Sequence, residues 1–353
     1  MSQDRAIFRV AERLRPPCNL VPEDAELFGT SMIGCSTGCD VQILRDVEVL
    51  GRGPIRARDG QYLVESFVNE DHYRRWRRER GHWRAATERL FQKLVPFDAP
   101  AVWITDNWSC GYFHWFCDAL PRLEVALREH PAAELTLLLP ANFGRDDYFL
   151  ESLAPFKLKE VRILKRFERL RCRELLLPSH ISRTGNYDSC VMQSLRERFR
   201  GHSERVGGGR VHQRLYISRR LASRRCIDNE KAILPVLADH GFETLVAEQA
   251  PWAQQIQLAA AATHLVSNHG AGLTNMMMMA TGSSVMEIRE RQDRRNNCYF
   301  NLANSMGLNY YYLLAPRRDP SEEVHFADLV VDPSTLDAAL GQMIADSAQR
   351  QSA

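Results

Sequence analysis

Between residues 213 and 315 short apolar runs alternate with helix-length segments in one repeating order, and that order leaves few folds open. RLYISRR, FETLVAE, THLVSN, SSVMEI and NYYYLLA read as strands. NEKAILPVLADH, closed by Gly241, and then APWAQQIQLAAAA and GLTNMMMM read as the helices between them. Strands separated by helices cannot pair as hairpins, so the alternation predicts a parallel sheet with covering helices. A second stretch of the same kind starts near residue 100, where AVWIT, ELTLLLP, VRILK and ELLLPS are the apolar runs. The expected class is therefore α/β with two βα domains. A chain of 353 residues is long enough for two cores and a cleft between them. The boundaries read as a β-rich region over 1–65, with VQILRDVEVL and QYLVESFV as hairpin strands, a first domain over 66–205, a second over 206–333 and a terminal helix over 334–353. VGGGR at 206–210 precedes a strand and reads as a linker.

Composition removes several classes. The formal net charge is only +2, too mild for the basic footprint that nucleic acid requires, so no nucleic-acid partner is expected. Only five of the cationic residues are lysines, which makes any single arginine weak evidence of a site. The nine cysteines show no repeated C-x-x-C, so neither a zinc site nor a disulfide scaffold is indicated. The N-terminal residues lack a signal-peptide core, and no run approaches the ~18 apolar residues of a membrane span. The expected location is the cytoplasm. One segment qualifies this: HYRRWRRERGHWRAATERL places Tyr73, Trp76, Trp83 and Leu90 at helical spacing, interrupted at Gly81, with arginines on the other faces. It reads as a solvated face over a packed stripe, or as a patch for peripheral docking to anionic lipid or glycan.

The segment carrying most chemistry is SNHGAGLTNMMMM. A glycine turn from strand to helix lets backbone N–H groups approach an anion, and the helix start adds partial positive charge. Gly270, Ala271 and Gly272 form the turn, Asn268 and His269 can add donors, and Thr274 and Asn275 lie in the first helical turn. Met276 to Met279 suit a buried helix, since unbranched thioethers fill irregular gaps. Glu287, at the end of the next strand, can accept hydrogen bonds from ribose hydroxyls. Standing alone, H-G-A-G is equally a plain tight turn. The loop after RLYIS adds Arg219, Arg220, Arg224 and Arg225 at the carboxyl end of a strand, where ligands bind in open α/β sheets, although a solvated loop is the alternative. In the first domain NWSCGYFHWFCDALPRLEVAL puts His114 and Asp118 four apart, on one helical face continued by Arg122, if Gly111 starts a helix. Such a pair suits a general base; on spacing alone an ordinary surface pair or a satisfied core histidine is the preferred reading.

Taken in order, YFHWFCDALPRL, LYISRR and SNHGAGLTNMMMM with GSSVMEI resemble the glycosyltransferase family 61 proteins over about residues 100 to 290. The resemblance implies a GT-B arrangement, two Rossmann-like domains facing a cleft with the nucleotide-sugar held mainly by the C-terminal one. It implies that Arg219 and Arg224 hold the diphosphate, that His269, Gly270, Ala271 and Gly272 are the phosphate turn, and that Glu287 meets the ribose. His114 is then the base and Asp118 its orienter, with their roles open to exchange, in a single inverting displacement. The implied partners are a nucleoside-diphosphate sugar, a UDP-sugar first, and a glycan or glycolipid acceptor in surface polysaccharide synthesis. No D-x-D motif is present, so neither metal nor cofactor is expected. A non-catalytic nucleotide-sugar-binding module is the rival reading. A nicotinamide dehydrogenase is weaker, because no strand is followed by G-x-G-x-x-G.

Overall fold

The computed structural model describes residues 10–36, 38, 40–79, 93–203 and 213–352. Gly81, Trp83, Leu90 and the VGGGR linker lie outside them. The chain divides into two compact units, one built on Thr37–Ser182 and the other on Arg9–Ser36 together with Arg183–Ala353. The early residues 10–36, grouped by sequence with the β-rich region, thus cluster with the second unit, and so do residues 183–203. Among the described residues no helix is long and apolar enough to cross a membrane.

In the second unit the strands β1 (Val10–Arg13) and β2 (Ile33–Ser36) pair antiparallel in a small sheet of their own. The first unit contains β3 (Val41–Leu50), β4 (Gly53–Arg56), β5 (Lys93–Phe97), β6 (Ala101–Val102), β7 (Thr136–Leu139), β8 (Glu160–Ile163) and β9 (Glu168–Pro178). They form one mixed sheet in the order β4-β3-β9-β6-β7-β8, with β5 also on β9. The part from β6 onward is parallel, as the alternation predicts, while β3 runs antiparallel to both β4 and β9. VQILRDVEVL does make a hairpin strand. QYLVESFV does not: it holds only an isolated bridge at Tyr62 and a 3-10 turn at Val64–Ser66. There Tyr62 and Phe67 pack against Trp76, and Phe67 also against Tyr73, the apolar stripe of the helix over 70–79.

The second unit's main sheet contains β10 (Gln213–Ser218), β11 (Phe242–Val246), β12 (Ala262–Asn268), β13 (Ser284–Glu290) and β14 (Asn309–Ala315). All are parallel, in the order β11-β10-β12-β13-β14. Chain direction across the sheet reverses between β10 and β12, the switch point outside which open sheets bind ligands. Alternate residues Tyr216, Val266, Met286 and Tyr311 share a core with Ile233 and Leu237 of the helix Glu230–Asp239 and with Leu336, Leu340 and Met343 of the terminal helix Pro333–Ser352. The outer edge of β14 is sheltered: the Cys18 amide donates to Tyr310, and the Asn19 side chain brackets Tyr312 by donating to its carbonyl and accepting from its amide.

The methionine helix differs from expectation in type. Ala271–Met278 is a 3-10 helix, unusually long at eight residues, rather than an α-helix. All four methionines are buried, as predicted. The exit is tied by Arg196, on the helix Ser189–Ser203, which donates to the carbonyls of Met279 and Met306 and to Thr281 Oγ1. Carbonyls that a helix end leaves without a partner are satisfied in this way.

Candidate functional site

At the switch point of the second unit, Arg219 follows the last residue of β10 and reaches across to the turn after β12. Its Nε and Nη2 donate to the carbonyls of Arg225 and Arg224 at 3.1 and 3.2 Å. Its guanidinium lies so close to Gly270 that a Cβ there would stand 2.3 Å from Nη1. A side chain at 270 would displace this guanidinium from its place. Gly272 has a separate reason, since a Cβ there would meet Ile217 Cγ2 at 2.8 Å; its absence lets the 3-10 helix settle onto β10.

A crevice opens beside this contact, lined by Arg225, Asn268, His269, Glu290, Asp293 and His325 among others. Arg225 is held in the left-handed region at φ 56, a conformation that costs a non-glycine residue roughly 1 kcal/mol or more. Burial, then the nearby Arg219 guanidinium, lowers its pKa. Its Nε is buried without a partner, as is Asn268 Oδ1, whose own amide nitrogen donates to the Arg225 carbonyl. Such orphans cost about 1–3 kcal/mol each. The two are complementary in kind. A buried guanidinium N–H calls for an anionic oxygen, and a buried amide oxygen calls for a hydroxyl.

The structure places Arg224, Thr274, Asn275 and Glu287 as follows. Arg224 is exposed and lies over the Phe326 ring at 4.5 Å, so Arg225 takes the place in the crevice expected of it. Thr274 and Asn275 are 2% exposed and turn into the packing, where Asn275 donates to Gln255. Glu287 is fully buried and has no open face for a ribose: one carboxylate oxygen accepts from His269 Nδ1 and the other from the Tyr310 hydroxyl. Burial acts to raise the Glu287 pKa, but His269, the Arg289 charge and these hydrogen bonds outweigh it and hold the carboxyl below its ordinary value. The Tyr310 hydroxyl is pushed far up by burial and by Glu287.

In the first unit Gly111 is the residue at which the helix starts, as the sequence predicts. The helix runs Tyr112–His114, widens into a π turn at Trp115–Ala119 and continues as Leu120–Glu129. His114 Nδ1–H donates to Asp118 Oδ2 at 2.7 Å, leaving a partly exposed imidazole against the Trp108 ring. Arg122 does not continue that surface. It is fully buried and donates to the carbonyls of Ile104 and Pro178, pinning the helix to the segment that follows β6 and to the last residue of β9. Two further residues join the group. Asp106 Oδ1 accepts from the Trp108 and Ser109 amides, ordering the turn before the helix. Its Oδ2 stands 3.3 Å from His180 Nε2, close enough for charge attraction but too poorly aimed for a hydrogen bond. Burial, then Arg122, lowers the His180 pKa, against the opposing pull of Asp106 and Asp118. Among the described residues no three His, Cys, Asp or Glu side chains gather as metal ligands would.

Residues 112–286 match the family model described as Glycosyltransferase 61. The chain carries a glycosyltransferase 61 domain. The EGF domain-specific O-linked N-acetylglucosamine transferase of Drosophila melanogaster is 24% identical over 242 residues, covering 61% of this chain and 45% of that protein. The chain thus spans less than half the length of that relative. The glycosyltransferase 61 match begins at Tyr112, the first residue of the helix bearing His114, and ends at Met286, one residue before Glu287. It takes in both the His114–Asp118 pair and the Arg219–Gly270 contact. Asp106 and Arg289 lie outside the matched residues and are set by this structure alone. Sequence reading missed Asp106, His180 and the place of Arg225, because none has a partner at a periodic spacing.

Proposed function

We propose that the protein is an inverting, metal-independent glycosyltransferase of GT-B arrangement that moves a sugar from a nucleoside-diphosphate sugar to a hydroxyl acceptor. The observation that carries this reading is the pair of buried, unpartnered groups at the switch point, Arg225 Nε and Asn268 Oδ1, beside the Arg219 guanidinium laid on Gly270. Arg219 and Arg225 suit a diphosphate, and Asn268 suits a ribose or sugar hydroxyl. Two guanidiniums and a helix start can neutralise the departing diphosphate in place of a metal. His114, oriented by Asp118, is the base for the acceptor hydroxyl, with Trp108 offering a sugar ring a stacking face. A UDP-sugar is the first donor to test, with N-acetylglucosamine as the first sugar because the Drosophila relative's name specifies it. The acceptor is a glycan or glycolipid of a surface polysaccharide, built on the cytoplasmic side, with the arginine-covered face of helix 70–79 docking to anionic lipid.

A thermal-shift screen with UDP, GDP, CDP, CMP, ADP and NAD, with and without EDTA, tests the site. A nucleoside diphosphate at about 100 times its Kd adds ~2.7 kcal/mol of stability. A shift with one diphosphate that EDTA leaves unchanged is the expected result, and a shift with NAD alone sinks the reading. Donor binding without transfer to any hydroxyl acceptor would favour a binding module over an enzyme.

A further inference from the structure

The His269, Glu287 and Tyr310 chain has no role in the reading above beyond lining a phosphate turn, yet it is costly to build. A carboxylate with no exposed surface forfeits hydration that only strong partners can replace. Here the partners are a histidine at the mouth of the crevice, a tyrosine on the neighbouring strand and the Arg289 charge. The Glu287 bond occupies His269 Nδ1, so Nε2 is the ring nitrogen left to meet whatever enters beside Arg225 and Asn268. A carboxylate behind one imidazole nitrogen fixes the ring's orientation and favours its protonated form.

We propose that His269 is the acid of the transfer, its Nε2–H directed at the diphosphate oxygen that leaves the sugar, with Glu287 and Tyr310 as positioning residues. The proposal rests on the nucleotide-sugar reading of this crevice. In the step, the bond between the sugar's anomeric carbon and the β-phosphate oxygen breaks and its electron pair goes to that oxygen, which takes the His269 proton. The acceptor oxygen bonds the anomeric carbon and gives its proton to a separate base. The base then releases the acceptor's proton to solvent and His269 takes one back, so the net products are the glycoside and a nucleoside diphosphate carrying one proton, which it loses above its ionisation near 6.

The surroundings of His269 divide into two sets. Favouring the imidazolium are Glu287 on β13 and, along the crevice wall, Glu290 and Asp293. Opposing it are Arg219 and Arg225 from the loop after β10 and Arg289 on β13. Tyr310 donates to Glu287, and Tyr299, on the helix Cys298–Ser305, presents its ring edge-on at 5.1 Å. The His325 ring lies 6.3 Å away, and burial, then Arg225 and His269, lowers its pKa. An incoming diphosphate adds negative charge on the Nε2 side.

The test is calorimetric titration with UDP, or with whichever nucleoside diphosphate binds at pH 7, across pH 7 to 9, above the phosphate's own second ionisation near 6. The wild type should bind about tenfold more weakly at pH 9 than at pH 7. His269→Gln should lose that slope, while Glu287→Gln, which keeps volume and hydrogen-bonding capacity, should show its weakening begin at lower pH. With a donor that supports transfer, His269→Gln should lower kcat by ~10²–10⁴ with little change in KM, as removal of a general acid does. A flat wild-type profile, a His269→Gln profile that keeps the slope, or a rise in KM at constant kcat would overturn the proposal while leaving the donor site standing. A wild type that binds no nucleoside diphosphate at any pH fails the donor reading itself and takes this inference with it. Tyr310→Phe, which removes one bond to Glu287, gives a second folded variant in which the affinity slope shifts in the same direction by less.

Discussion

The two candidate sites are built on opposite plans. In the first unit His114 and Asp118 are neighbours on one helical turn, the imidazole partly exposed, and they are joined by a local hydrogen bond. In the second the working groups come from three separate places: the loop after β10, the turn after β12 and the middle of β13. There a carboxylate that never meets water holds His269, while backbone carbonyls of the loop after β10 hold Arg219 and Asn268. A pair four residues apart is brought together chiefly by the helix that carries both. The assembled site depends on close approaches such as the one between Arg219 and Gly270, where a single methyl group is too much.

The contrast can be broken from either side. The largest expected effect is on chemistry in the local site: His114→Ala should cost ~10²–10⁴ in kcat with nucleoside-diphosphate affinity unchanged, read from initial rates beside calorimetry. Next comes the assembled site, where Arg219→Ala should weaken diphosphate binding by about 2–3 kcal/mol, the range for hydrogen bonds to charged groups. Gly270→Ala should reproduce most of that loss by displacing the same guanidinium without removing it. If Gly270→Ala binds like the wild type, the close approach does not position the arginine. Gly272→Ala should spare binding chemistry and lower stability by about 1–3 kcal/mol through overpacking against Ile217, visible as a drop of several degrees in Tm.

A smaller effect separates the sites by acid. The folded Glu287 carboxyl lies below its ordinary value of 4.5, so its stabilisation is present above that value and is lost as pH falls through the lower folded one. Melting curves of wild type and Glu287→Gln should therefore converge as pH falls below about 4. The smallest effect belongs to Arg224→Ala. Its side chain is exposed over Phe326, and it should change diphosphate affinity less than about threefold. An effect equal to that of Arg219→Ala would restore the original assignment.

Legibility followed the same division. The β10 to β14 rhythm was readable because each strand and helix announces itself by local period, and Gly111, His114 and Asp118 needed nothing beyond counting four residues. The burial of Glu287 is not legible in the sequence, for a physical reason. The expected strand end at Ile288 suits a ligand contact, but β13 runs on to Glu290, and the partner Tyr310 lies 23 residues away on the next strand, a spacing with no period to reveal it. Arg224 and Arg225 could not be told apart by sequence, because one left-handed residue decides which of two adjacent guanidiniums enters the crevice. The early segment 10–36 joined the second unit through contacts that only the folded chain displays.

That last arrangement bears on how the protein is made. The backbone edge of β14 is covered by Cys18 and Asn19, and Asn19 and Tyr312 are 293 residues apart. At roughly 5–20 residues per second on the ribosome, the first-made piece waits some fifteen seconds to a minute for the strand it shelters. Until then the nascent chain carries a segment with nowhere to dock, and the second unit cannot close in the order in which it is translated.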